Sequence, residues 1–165
     1  MGNACASRKK GPVDADANLQ AEEGENASSS NRLLKMAEED DTDGIKELLE
    51  KRANPNVSDK TCGYHTTPLL LAIRNGYIDT AETLIDARAD VNLAGAWNYT
   101  PLMYAAIWKQ PLLASYLLQA KADATAKDVK GETALQHAIG EQQQDIADII
   151  QWSLNAKERD QQKKE

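Results

Sequence analysis

Residues able to do acid–base, nucleophilic or metal chemistry are few in this chain. His65 and His137 are its two histidines, and Cys5 and Cys62 its two cysteines. Cys62-Gly63-Tyr64-His65 has a ligand-like spacing, but a tetrahedral zinc site needs a second pair and none follows. A fingertip turn is the simpler reading of that segment. No Gly-x-Gly run or phosphate-cradling loop is present. No nucleophile, base and oxyanion donor form a recognisable constellation. Acidic side chains gather at Glu38, Glu39, Asp40, Asp41 and Asp43, without the glycine and oxygen-ligand spacing of a calcium loop. A solvated capping surface accounts for them. The chain reads as non-enzymatic, with no catalytic residues, no metal and no cofactor.

The amino terminus offers chemistry of another kind. Met1-Gly2-Asn3-Ala4-Cys5-Ala6-Ser7-Arg8-Lys9-Lys10 presents Gly2 for N-myristoylation once Met1 is removed, with small residues behind it. The usual Ser or Thr at position six is Ala6, with Ser7 one place later. One myristoyl chain gives an association constant of only about 10⁴ M⁻¹, so stable anchoring needs a second signal. Cys5 would lie at the bilayer surface, where palmitoylation is available. Arg8, Lys9 and Lys10 add roughly 1 kcal/mol each near anionic lipid. This stretch is similar to the amino terminus of the cyclic-AMP-dependent protein kinase catalytic subunit, which is myristoylated despite an alanine there. The resemblance implies nothing about kinase activity. The expected location is the cytoplasmic face of a membrane, the plasma membrane first, and otherwise the cytoplasm.

Lys and Arg number 19 against 26 Asp and Glu, a formal net charge of -7 over 165 residues. Nucleic acid is therefore not an expected partner, because tracking phosphates needs clustered cations. Two cysteines are too few for a disulfide scaffold. No apolar run approaches the roughly 20 residues of a membrane span, and no apolar h-region follows Met1. Residues 1–30 are rich in Ala, Ser, Asn, Glu and Gly, the composition of a disordered leader. Residues 153–165 mix seven charges with Gln and a single Leu, a charged tail or fraying helix end. Residues 31–152 remain for one compact domain.

That domain is internally repetitive. Thr67-Pro68-Leu69, Thr100-Pro101-Leu102 and Thr133-Ala134-Leu135 recur every 33 residues, as do Ala89-Asp90-Val91-Asn92 and Ala122-Asp123-Ala124-Thr125. Leu33 to Asn56 repeats the frame at an offset of 36, the extra residues falling between Val57 and Thr66. Each unit has its own start and stop signals. Thr67 or Thr100 can cap a helix that Pro opens, and Gly76 suits a left-handed stop. A second helix over Ile78 to Ala87 puts Ala81, Leu84 and Ile85 on one face. Arg52, Arg88 and Lys121 close successive units, cations at the carbonyl end. One such pair cannot cover its own apolar face, so stacking is obligatory.

A unit of a turn and two helices in 33 residues resembles the ankyrin repeat. TPLLLAIRNGYIDTAETLIDARADVN (67–92) and TPLMYAAIWKQPLLASYLLQAKADAT (100–125) are similar to the family pattern, DVKGETALQHAIGEQQQDIADII (128–150) is a closing repeat, and 31–56 an opening one. The resemblance covers about three-quarters of the chain. It implies an all-α solenoid of stacked helix–turn–helix units with short β-turn fingers, in repeats 31–59, 60–92, 93–125 and 126–152. Leu70, Met103 and Gln136 replace the family's histidine after Thr-Pro-Leu, so the buried polar link it makes is expected to be missing. Asp40, Lys109 and Gln142 stand where Gly76 stands, each costing about 1 kcal/mol if left-handed.

The resemblance also implies a function class, the binding of another protein through the fingers and the exposed side of the first helices. The residues at those positions are Tyr64, Thr66, Arg74, Asn75, Trp97, Tyr99, Ile107, Trp108, Lys130, Glu132 and Glu141. Four of the chain's eight aromatic residues fall among them, and exposed Trp and Tyr dominate interface energetics. The alternative for Trp97 is packing on Tyr99 or Trp108 within its own repeat. The expected protein is a monomeric adaptor tethered by its acylated leader. The other reading is a soluble inhibitor that occludes a partner enzyme such as a kinase. Leu84 with Asp90-Val91-Asn92 further resembles an asparagine-hydroxylation pattern of ankyrin repeats, against a simple turn role for Asn92.

Overall fold

A computed structural model describes residues 31–59 and 65–162. Gly2, Cys5, Arg8, Lys9, Lys10, Cys62 and Tyr64 lie outside the described residues. Among the described residues, eight α-helices form four helix–turn–helix pairs: α1 (31–39) with α2 (Thr42–Glu50), α3 (Pro68–Asn75) with α4 (Ile78–Asp86), α5 (Pro101–Ile107) with α6 (Pro111–Gln119), and α7 (Ala134–Gly140) with α8 (Gln144–Gln162). First helices pack on first helices, α3 on α5 and α5 on α7, while α2, α4, α6 and α8 follow one another in a second layer. Among the described residues no sheet forms and no helix is long and apolar enough to cross a membrane.

The repeat frame becomes columns of buried side chains. Leu48, Leu84, Leu117 and Ile150 occupy one register position in successive pairs, and all four are buried. Ile45, Ala81, Ala114 and Ala147 form a second buried column. A third column shows that the burial is shared between pairs. Ala37, Ile73 and Ala106 are fully buried, whereas Ile139, at the same position in the last pair, is 62% exposed because no fifth pair covers it.

Thr67, Thr100 and Thr133 cap α3, α5 and α7, each accepting through its hydroxyl from the N–H three residues on. The expected loss of a polar link after Thr-Pro-Leu holds at one repeat of three. Gln136 Oε1 accepts from the Thr133 N–H at 2.8 Å, and Met103 Sδ receives the Thr100 N–H at 3.4 Å. A long amide or thioether can fold back one turn. Leu70 has no such acceptor and is simply buried.

Both helices of a pair stop by the same device, α8 excepted. Asp40, Lys109 and Gln142 take φ of 59°, 58° and 57° where Gly76 takes 77°. The N–H after each then reaches back into its helix: Asp41 to the Met36 carbonyl, Tyr77 to Ala72, Gln110 to Ala105 and Gln143 to Ala138, at 2.8–3.0 Å. Arg52, Arg88 and Lys121 are left-handed in the same way, so what the structure shows at those positions is backbone reversal. Part of the acidic run is structural too. Asp41 caps α2 through Gly44 N–H, and Asp40 accepts from the hydroxyl of fully buried Thr80, tying the first pair to the second.

A polar ladder runs along the closing turns. Asn54, Asp90 and Asp123 each accept the N–H two residues later. Asn56 Oδ1 then accepts from Asp90 N–H, and Asn92 Oδ1 from Asp123 N–H, both at 2.7 Å. Asn92 thus uses its N–H within its own turn while its side chain bridges to the next repeat. The last rung differs, because Thr125 turns its hydroxyl back to Asp123 Oδ1 at 2.7 Å. Beyond it α8 runs without a break through position 152 to Gln162, there being no Gly or Pro to stop it. Lys157 reaches the Ala122 carbonyl.

The hydroxyl and then the N–H of Thr125 hold the Asp123 carboxyl below its ordinary value of 3.8, against slight desolvation and with help from Lys157. A depressed folded-state value means that this stabilisation is present above about pH 4 and fades as pH falls through the lower value. Asp123→Asn should therefore unfold at lower urea than the native chain at pH 7, and the gap between the two midpoints should narrow at pH 3. A gap that stays constant or widens in acid contradicts the assignment.

Candidate functional site

Among the described residues, the finger of the third repeat has the most unusual backbone. A 3₁₀ turn over Ala96–Asn98 gives both Trp97 (φ 60°) and Asn98 (φ 61°) left-handed conformations. Such a pair at the centre of a turn normally demands Asn-Gly, and a bulky residue there is strained. The turn is held from both sides. Gly95 N–H donates to the Tyr99 carbonyl at 2.9 Å and Tyr99 N–H to Ala96 at 3.1 Å. From the next finger, Val129 N–H donates to the Trp97 carbonyl at 3.1 Å, and the Asn98 amide donates to the Lys127 carbonyl at 2.7 Å. Gly95 must be glycine, because a Cβ there would lie 2.7 Å from Leu70 Cδ1 and 2.8 Å from the His65 carbonyl.

This clamped turn leaves Trp97 65% exposed, with Trp108 at the end of α5 48% exposed. Trp97 makes no ring contact with Tyr99 or Trp108. Tyr99 instead sits half-buried between two repeats, edge-on to Tyr104 at 6.0 Å and to His137 at 5.3 Å. Burial raises the Tyr104 phenol above its ordinary value, Arg74 opposing and Tyr99 adding slightly. Tyr99 therefore buttresses the surface more than it forms it.

The fourth finger is built around Asp128. Its Oδ1 accepts from the N–H groups of Lys130 at 2.8 Å and Glu132 at 2.9 Å, and its Oδ2 meets His137 Nε2 at 3.0 Å. Burial pushes the carboxyl up. Hydrogen bonds from Glu132 N–H, His137 and Lys130 N–H, with the charge interaction of His137, outweigh it and leave the value lowered. Asp128 is thus ionised at neutral pH, and Gly131 at φ 82° completes the turn.

The remaining sequence-derived positions distribute as follows. Arg74, Asn75, Lys130 and Glu141 are exposed, while Ile107 and Glu132 are half-buried. Thr66 is half-buried and joined to Asp59 by an isolated bridge. A cleft of about 400 Å³ brings Thr66 and Arg74 together with Leu34, Lys35, Glu38 and Leu71. Sequence reasoning passed over Val129, 64% exposed beside the Trp97 turn, because its finger position varies freely between repeats. It also passed over an apolar depression of about 550 Å³ between α6 and α8, lined by Leu118, Ile149 and Trp152. Trp152 was there to be seen in the sequence. Its exposure, 70%, depends on a register that only the stack defines.

A family model described as ankyrin repeats matches in three copies, over residues 13–94, 33–128 and 93–161. Serine/threonine-protein kinase 12 of Arabidopsis thaliana is 34% identical over 88 residues, covering 53% of this chain and 18% of that protein. Ankyrin repeat and SOCS box protein 6 is 37% identical in Mus musculus and 38% in Homo sapiens, each over 112 residues, or 67% of this chain and 26% of theirs. The chain thus spans about a quarter or less of the length of these curated relatives. With four stacked pairs, left-handed reversals and capped Thr-Pro-Leu helices on one frame, the chain belongs to the ankyrin repeat family.

Proposed function

We propose that this chain is a protein-binding adaptor that grips its partner on the finger and first-helix side of the stack. The observation that carries the reading is Trp97, a strained, solvent-facing tryptophan on a turn clamped by four hydrogen bonds. Strained residues persist where the surroundings over-determine them, and they gather at ligand clamps. A tryptophan already fixed in place loses little conformational freedom on binding, so more of its burial appears as affinity. Trp108 and Val129 extend the apolar surface, and Arg74, Lys130 and Glu141 give it a charged rim that can select among partners. Tyr64, Thr66, Asn75, Ile107 and Glu132 complete the proposed surface. Binding of this kind needs no catalytic group.

The second element of the proposal is a membrane tether. Gly2 with Cys5, and Arg8, Lys9 and Lys10 behind them, combine two acylation signals with a basic patch, the combination that stable anchoring requires. Tethering would place the chain on the cytoplasmic side of a membrane and raise its effective concentration beside other membrane proteins.

Each element has its own test. Trp97→Ala combined with Trp108→Ala should abolish co-purification of the partner from the native cells while helical circular dichroism stays unchanged. Undiminished co-purification places the interface elsewhere. Labelling with a myristate analogue should mark the native chain and leave Gly2→Ala unmarked, with loss of the variant from the membrane fraction. Equal labelling of the two removes the tether without touching the binding surface.

A further inference from the structure

The sequence names no metal ligands, yet the fold brings three together where the fourth finger meets α7. The ligating atoms of Asp128, Glu132 and His137 all lie within 4.8 Å of one another. His137 Nε2 is 3.0 Å from Asp128 Oδ2 and 3.9 Å from Glu132 Oε2. Spacings of four and five residues across a turn match no zinc motif, which is why the sequence hides them.

The geometry points to a zinc site formed by Asp128, Glu132 and His137 that fastens the fourth finger to the first helix of its own repeat. Asp128 is prepared for this role. Its side chain is fully buried, and two backbone N–H groups hold Oδ1, leaving Oδ2 facing His137 at 3.0 Å. Outer-shell bonds of that kind orient a ligand before the metal arrives. The His137 ring is set edge-on against Tyr99 at 5.3 Å, its side chain only 11% exposed.

Glu132 is the exposed member. At 47% exposure it can swing the small distance that closes the set while leaving an entry path from solvent. One imidazole nitrogen and two carboxylate oxygens suit a borderline ion such as Zn²⁺. They are too few for calcium, which takes six to eight oxygens. Two carboxylates and a neutral imidazole also balance a double positive charge. Three protein ligands leave the fourth tetrahedral position for water. The metal would replace the direct Asp128–His137 hydrogen bond with a stronger tie across the same gap.

The test uses the full chain stripped by chelator and titrated with Zn²⁺ in a calorimeter, with Co²⁺ absorption as a second readout of ligand geometry. One equivalent should bind, and the melting temperature should rise with added zinc. Glu132→Gln and His137→Gln should each weaken binding at least about tenfold, since even an outer-shell partner is worth that much. Their circular dichroism should match the native chain, and Glu132→Gln, whose side chain is half exposed, keeps the test valid should His137→Gln unfold. The double variant Cys62→Ser with His65→Ala should bind as the native chain does. The proposal is overturned by the absence of saturable one-to-one binding. It is equally overturned by native affinity in Glu132→Gln, or by loss of binding in the Cys62/His65 variant, which would locate the metal at that pair instead.

Discussion

No helix pair in this chain owns a core. Each presents an apolar face that only the neighbouring pair can cover, and every other feature follows from that sharing. The column Ala37, Ile73, Ala106 and Ile139 makes the point most simply, because a position fully buried three times becomes exposed at the end of the stack. Shared burial fixes the spacing of the pairs. The spacing in turn lets Asn56 and Asn92 reach the next closing turn at the same distance of 2.7 Å. The left-handed stops at Asp40, Gly76, Lys109 and Gln142 keep the pairs short enough to stack in register. Several of these are non-glycine residues held in a costly conformation, which is tolerable because packing on both sides leaves no alternative.

Because stability resides in the columns, the fingers and the solvent side of the first helices are free to vary. Finger four is a compact turn organised by a buried carboxylate. Finger three is a strained turn that lifts a tryptophan into solvent. The two are linked, since Val129 and Lys127 of one finger supply the partners that hold Trp97 and Asn98 of the other. Tyr99 carries the same coupling inward, touching Tyr104 in its own repeat and His137 in the next. Anything that tightens the fourth finger therefore also braces the turn that presents Trp97.

Much of this was legible in the residues. The 33-residue interval, Thr caps, Pro starts and the need for left-handed stops all act locally, so they leave a local trace. What stayed hidden depends on neighbours. Asn92 read as a turn residue because its bridge crosses 31 positions. Met103 and Gln136 read as losses because their backward bonds need a particular side-chain fold. Tyr99 read as a free surface aromatic because its partner His137 lies 38 positions on. Asp128, Glu132 and His137 did not read as a cluster at all, since a turn between them sets the distance. Of the two readings open for residues 153–165, a charged tail or a helix end, α8 takes up the second as far as Gln162, because the segment holds no Gly or Pro to stop a helix.

Native-state hydrogen exchange on the full chain carrying Leu117→Ala tests the sharing of burial most directly. The account predicts that protection falls not only in α5 and α6 but also in α3, α4, α7 and α8, because the pairs on either side lose the same covered face. Loss of protection confined to α5 and α6, with both neighbouring pairs unchanged, would show that each pair stands alone and would contradict the account.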